Sequence, residues 1–259
     1  MTGGLSNFQS RMLVMEEKTA AFYLVEGVIA LSSLQKSTSF YPAPFNLVAN
    51  GLERLLKLDL LLGELYRRHM LPRRALLKRL SHDLWTLTDA VLETRTSGSR
   101  EAKRLVDTDR VLRSLIDALS DFAGDGRYLY LDQLLEPNKA ARDPWKAWDR
   151  VEREVINTTT TGTGELWTSW LWGHALRGET ATFVRRRNEI MLKSLLDFVA
   201  ALTRHFVEMI PLDEAGYMRI FLSDRPSGKP PTRAQFRSMA NSPDLDAWEL
   251  ALESGFSGT

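Results

Sequence analysis

Three small groups of residues in this chain have the types and spacing to do chemistry. The first is Glu53 and Lys57, four residues apart inside "GLERLLKLDLLL". The second is the adjacent pair His82-Asp83 in "KRLSHDL". The third is Arg187-Asn188 followed by Lys193 in "VRRRNEIMLK". A glutamate four residues before a lysine shares its helix face in the favourable order, and on a solvated face the pair contributes only a few tenths of a kcal/mol. Here leucines fill most of the surrounding positions, so the pair can instead hold a polar centre in an apolar wall. Histidine takes up and releases a proton near neutral pH, and arginine and lysine can hold a phosphate. Each group also has a structural reading. Glu53 and Lys57 can be a surface pair. Ser81 can cap a helix with Asp83 in its first turn and His82 incidental. The arginines can line a solvated face of a helix that starts near Glu179 or Thr180.

Two further features bear on phosphate. Arg67, Arg68, His69, Arg73, Arg74, Lys78 and Arg79 crowd around Pro72, and Arg185 and Arg186 stand beside Arg187. The formal net charge is only +1, so any nucleic-acid footprint must be local. A solvated helix–helix corner explains the Pro72 cluster equally well. Trp167, Trp170 and Trp172 can stack bases, although such a cluster is more often core or interface. The chain has no cysteine, which excludes disulfides, thiolate metal sites and a cysteine nucleophile. No histidine pair stands at metal-ligand spacing, and no phosphate-binding loop, nucleophile elbow or dinucleotide fingerprint is present. The expectation is therefore no metal and no cofactor.

The elements that must position these residues read as helices. Apolar residues recur at helical spacing over 11–34, 46–69, 73–94, 104–123, 143–156 and 179–210. Asp143 and Pro144 form a helix start, and Pro211 ends the last of these helices. Tyr41 to Pro44 reads as an extended approach to the second. "TSGS" at 96–99 and "NTTTTGTGE" at 157–165 read as loops. No succession of strand–helix units appears. The fold class is all-α: an antiparallel helical bundle over 1–223 with additional short C-terminal helices in a Pro/Gly-rich tail, 224–259. The N-terminal stretch does not read as a signal peptide, because charges interrupt its apolar positions. No apolar run is long enough to span a membrane, so a soluble, cytoplasmic protein without membrane contact is expected.

Taken together, "LVANGLERLLKLDLLL", "SHDLWTL" and "GRYLYLD" resemble the HEPN superfamily. The residues that carry the resemblance are Gly51, Glu53 and Lys57, then Ser81 to Leu84, then Arg127, Tyr128 and Tyr130. It covers roughly 40–135, with an extension to 210. The resemblance implies a small antiparallel helical bundle, often a homodimer, with RNA or nucleotide as ligand and an antitoxin or defence component as possible protein partner. Many members of that superfamily are metal-independent endoribonucleases of toxin–antitoxin or antiviral systems; others are non-catalytic. In the ribonucleases an arginine holds the scissile phosphate and a histidine a few residues later moves protons. The chain departs from this pattern. None of His69, His82, His174 and His205 has an arginine five to seven residues upstream. Arg187-Asn188 keeps the spacing but meets Lys193 instead of histidine.

Three functions follow as expectations. The first is an RNA-directed effector, an endoribonuclease with a degenerate motif drawing on Arg187, Asn188, Lys193 and His82. Its RNA would lie on Arg67, Arg68, Arg73, Arg74, Arg79, Arg127, Arg185 and Arg186, and Glu53, Lys57 and Asp83 would form a structural polar centre. The second is a non-catalytic binding or partner protein. The third is an all-α scaffold acting through oligomerisation.

Overall fold

Two prolines open the second helix. The first N–H groups of a helix have no intrahelical partner, so Pro42 and Pro44 cost nothing in its first turn. Helix α2 accordingly runs Pro42–Arg68, and the expected extended approach through Pro44 is replaced by helix. The computed structural model describes residues 7–34, 42–68, 70–72, 82–94, 96–124, 134–135, 144–160, 180–209, 221–222, 232 and 234–235. The other helices are α1 (Asn7–Ser32), α3 (Leu84–Leu92), α4 (Ser97–Thr108), α5 (Arg110–Gly124), α6 (Pro144–Thr160) and α7 (Thr180–Met209). Among the described residues there is no strand, and the fold is all-α.

Caps decide three boundaries that periodicity places wrongly. Thr96 is extended and its side chain accepts from Ser99 N, so "TSGS" starts a helix instead of forming a loop. Asp109 is extended between α4 and α5: its N–H closes α4 on Leu105 O at 2.8 Å, and its carboxylate caps α5 by accepting from Leu112 N at 3.0 Å. The expected single helix over 104–123 is thus two helices hinged at one residue. Asp83 caps α3, accepting from Trp85 N with an extended backbone, so the expected helix over 73–94 is interrupted at 82–83, and its stretch 73–81 lies outside the described residues. At the other end of the chain, α6 continues to Thr160, past the expected loop start at Asn157.

Helix α2 is the hub. It packs against α1, α3, α5 and α7, while α7 also packs against α4, α5, α6 and the end of α1. α1 and α2 run antiparallel at very close range. A Cβ on Gly51 would meet Leu24 N at 2.8 Å, and one on Gly27 would meet Val48 N at the same distance. Gly51 is therefore required by a helix crossing, two residues from Glu53. The α4–α7 contact is tighter still, because a Cβ on Gly98 would lie 2.2 Å from His205 N. Leu24, Leu52, Leu55, Leu56, Leu115, Leu119, Phe198 and Phe206 fill the core between these helices. No described helix is long and apolar enough to cross a membrane. Most of the tail 224–259, and the tryptophans at 167, 170 and 172, lie outside the described residues.

Candidate functional site

Helix α2 turns Glu53 toward the entry of α3. Lys57, one turn on, reaches Glu53 Oε1 with its Nζ at 2.7 Å. From a distance of 29 residues in sequence, His82 Nδ1 reaches the same oxygen at 2.9 Å. The Glu53 side chain is only 11% exposed, whereas the His82 ring is 58% exposed. Burial acts to raise the Glu53 pKa, but hydrogen bonds and charge from Lys57 and His82 outweigh it and hold the carboxyl below its ordinary value. Glu53 is therefore ionised at neutral pH and can only accept hydrogen bonds. The proton of a neutral His82 ring then sits on Nδ1, and Nε2 carries the free lone pair.

Asp83 fixes where His82 stands. Its Oδ1 accepts from Trp85 N and from Ser120 Oγ, each at 3.0 Å, and its Oδ2 accepts from Thr86 Oγ1 at 2.8 Å. Ser120 Oγ in turn accepts from Leu84 N at 3.2 Å. Trp85 Nε1 donates to Asp117 Oδ1 at 2.6 Å. The start of α3 is thus bolted to α5 at two points. Burial acts against the Asp83 carboxylate, yet these donors lower its pKa. The arrangement is a carboxylate, an imidazole aligned by it and an ammonium beside them, with the ring at the surface. Chemically it can orient and polarise a histidine for proton transfer.

The third group from the sequence is not assembled in this way. Arg187 is 2% exposed. Its Nη1 donates to Glu152 Oε1 at 2.5 Å, and its Nε and Nη2 donate to Asn188 Oδ1 at 3.2 and 2.9 Å. The guanidinium lies 5.4 Å from the centre of the Trp148 ring, and Trp148 Nε1 donates to the same Glu152 oxygen at 2.8 Å. Asn188 Nδ2 donates to Leu34 O at 2.9 Å. Arg187 and Asn188 thus tie α7 to α6 and to the chain end of α1. Lys193 is exposed and bonds Asp197 Oδ2 at 2.6 Å; it borders a different cleft, with Thr108, Arg110 and Asn157. Since α7 begins at Thr180, the arginines are within the helix and not at its first residue.

Each of the other described arginines of the sequence reading has a carboxylate neighbour, two arginines to one glutamate. Arg67 and Arg68 both bond Glu64, at 2.5 and 3.0 Å, and occupy the last turn of α2, where positive charge suits the helix dipole. Arg185 and Arg186 both approach Glu189, at 4.0 and 3.0 Å. Arg73, Arg74, Arg79 and Arg127 lie outside the described residues.

Two groups have no counterpart in the sequence reasoning. Asp59 on α2 is fully buried with neither carboxylate oxygen hydrogen-bonded, and burial raises its pKa well above the ordinary value. The only sequence signal is a carboxylate amid leucines. His205 is buried between Thr96 Oγ1, 2.6 Å from Nδ1, and Thr94 Oγ1, 3.3 Å from Nε2. Burial lowers its pKa to about 4, with the nearby Glu208 charge acting the other way. Glu208 holds the start of α4 through Ser97 N at 2.9 Å and the Ser97 hydroxyl. Among the described residues no group of three or more His, Asp or Glu side chains could hold a metal ion. No family model, curated protein or solved structure matches this chain.

Proposed function

We propose that the protein is an RNA-directed effector and that His82, aligned by Glu53, is its proton-transfer residue in metal-independent cleavage of RNA. The observation that supports this is the 2.9 Å contact of an exposed imidazole with a buried, ionised glutamate. With Nδ1–H directed at Glu53, Nε2 takes the proton of a ribose 2′-hydroxyl. The 2′-oxygen forms a bond to phosphorus, the bond from phosphorus to the 5′-oxygen breaks, and Nε2 returns the proton to that oxygen. The products are a 2′,3′-cyclic phosphate and a free 5′-hydroxyl. Positive charge on imidazolium formed in this cycle is stabilised by Glu53, as in carboxylate–histidine pairs elsewhere.

The resemblance to the HEPN superfamily supports RNA as the substrate, and an antitoxin or other defence component as the regulating partner. The second reading is a non-catalytic relative that binds RNA, nucleotide or a protein. It is favoured by the inward engagement of Arg187 with Glu152, which leaves this arginine away from an exposed phosphate.

The deciding experiment incubates the protein with total RNA and a labelled tRNA pool in EDTA, alongside His82→Ala and Arg187→Ala. Cleavage that persists in EDTA and disappears with His82→Ala, leaving 2′,3′-cyclic ends, supports the nuclease at this dyad. Cleavage retained by His82→Ala sinks it. Intact RNA in every lane transfers the assignment to the non-catalytic reading.

A further inference from the structure

The break at Asp109 leaves donors without acceptors. Leu112 N donates to the Asp109 carboxylate at 3.0 Å and Arg113 N to Asp109 O at 3.1 Å. The N–H groups of Arg110 and Val111, the first two of α5, are the orphans left at this helix start. The Arg110 side chain is exposed and, among the described residues, takes part in no ion pair or hydrogen bond.

These groups border a cleft of about 480 Å³ that also reaches the middle of α7 at Ile190, Lys193 and Ser194. Ser194 is only 7% exposed. A serine or threonine inside a helix can bond back to the carbonyl four residues earlier, as Thr203 on the same helix does to Val199 O at 2.8 Å. The Ser194 hydroxyl makes no such bond and has no other partner among the described residues. A nearly buried hydroxyl with its donor unused is costly unless solvent or a ligand takes it.

The charge around the cleft narrows the ligand. Lys193 is held by Asp197 at 2.6 Å, and Asp109 precedes Arg110, so two cations are matched by two carboxylates. A nucleic-acid backbone finds no surplus of positive charge here. A single oxyanion finds two amides, a guanidinium fork and a hydroxyl. Ile190 and Val111 stand beside these donors and suit an apolar body on that anion.

We propose that this cleft binds a small carboxylic acid, with its carboxylate on Arg110 and the free amides of α5, a further oxygen on Ser194, and its apolar body against Ile190 and Val111. Neither Glu53 nor His82 borders the cleft, so the proposal stands independently of any activity at His82.

The test is a ligand-observed NMR titration of the full chain with ketoisocaproate, a branched oxo acid. Beside it run methyl isobutyl ketone, which keeps the apolar body and has a methyl in place of the carboxylate, and inorganic phosphate and AMP. The expected result is saturable binding of the oxo acid at about 1 mM and none of the ketone. Arg110→Ala should weaken the oxo acid about tenfold or more and Ser194→Ala severalfold, with circular dichroism showing that both variants fold. No saturation up to about 10 mM, binding that Arg110→Ala leaves unchanged, or a ketone that binds as well as the acid overturns the proposal. Phosphate or AMP that displaces the acid at lower concentration than the acid itself needs also overturns it, because the site would then select phosphate.

Discussion

Arg187 and Glu152 form an ion pair across α7 and α6, with Arg Nη1 2.5 Å from Glu Oε1 and the arginine side chain 1% exposed. The pair closes a set in which Trp148 and Asn188 supply the remaining hydrogen bonds. Removing one partner of a buried pair leaves an uncompensated charge, which costs about 3 to 5 kcal/mol. Arg187→Ala should therefore lower the urea midpoint strongly. Arg187→Lys should recover little of the loss, because an ammonium cannot make the forked contact to Glu152 and Asn188 together. A loss under about 1 kcal/mol for Arg187→Ala would show the pair to be solvated. Any loss of activity in this variant has to be read beside its fraction folded.

Glu53 joins α2 to the start of α3 through His82 and is itself held by Lys57. Glu53→Ala should cost about 1 to 3 kcal/mol, which is several degrees in melting temperature for a chain of this size. A shift of a degree or less would return the pair to surface ornament. The folded carboxyl has a lowered pKa, so its contribution is present above the ordinary carboxylate value and is lost as pH falls through the folded value below it. Glu53→Gln should flatten the acid limb of a stability–pH curve.

His205 predicts a second pH effect, at higher pH. Its folded pKa lies at about 4 against an ordinary 6.5. Between those values the unfolded chain takes up a proton that the folded chain does not. Stability from this group is thus full above about pH 6.5 and declines by up to ~1.4 kcal/mol per pH unit as pH falls toward 4. Denaturant titrations at pH 7.5, 6, 5 and 4 should show this slope, and His205→Gln should reduce it. An unchanged slope in the variant would assign the decline to carboxylates.

Asp59 should be a liability at neutral pH. Burial raises its pKa well above the ordinary carboxylate value, so the unfolded chain loses a proton that the folded chain retains. Its stability contribution is full below the unfolded value and falls as pH rises toward the folded one. Asp59→Asn removes this ionisation, and should stabilise the protein by about 1 kcal/mol or more at pH 7. The gain should shrink toward zero near pH 4. Destabilisation at pH 7 would mean that the carboxylate has a partner in solution.

Gly98 should tolerate no side chain. The space a Cβ would need is occupied by the backbone of His205 and Ala201 on α7, at 2.2 and 2.6 Å. Gly98→Ala should cost more than the usual 1 to 3 kcal/mol of overpacking, despite the better helix propensity of alanine. Thermal unfolding of this variant beside Gly124→Ala, where a Cβ meets nothing within 4 Å, separates crowding from propensity.

The sequence by itself determined that the chain is helical and where α1, α2, α6 and α7 run, but not the break at Asp109 or the start of α3 at Leu84. Apolar spacing marks α7 as 179–210 against the observed Thr180–Met209, and Val111, Leu112, Leu115, Ile116, Leu119 and Phe122 all face inward on α5. Periodicity within one helix is a local property, readable in a window of a dozen residues. Caps were harder, because Asp83 and Asp109 each compete with neighbours able to do the same work. Tertiary structure alone decided which charges are buried. Arg185, Arg186 and Arg187 are indistinguishable as letters, yet only the last faces Glu152 and Trp148 on another helix. In the same way, Glu53 and His82 become partners only because α2 and the α3 entry pack together. Burial, hydrogen bonding and pKa depend on what a distant helix brings to within a few ångströms, and that is settled by packing of the whole chain.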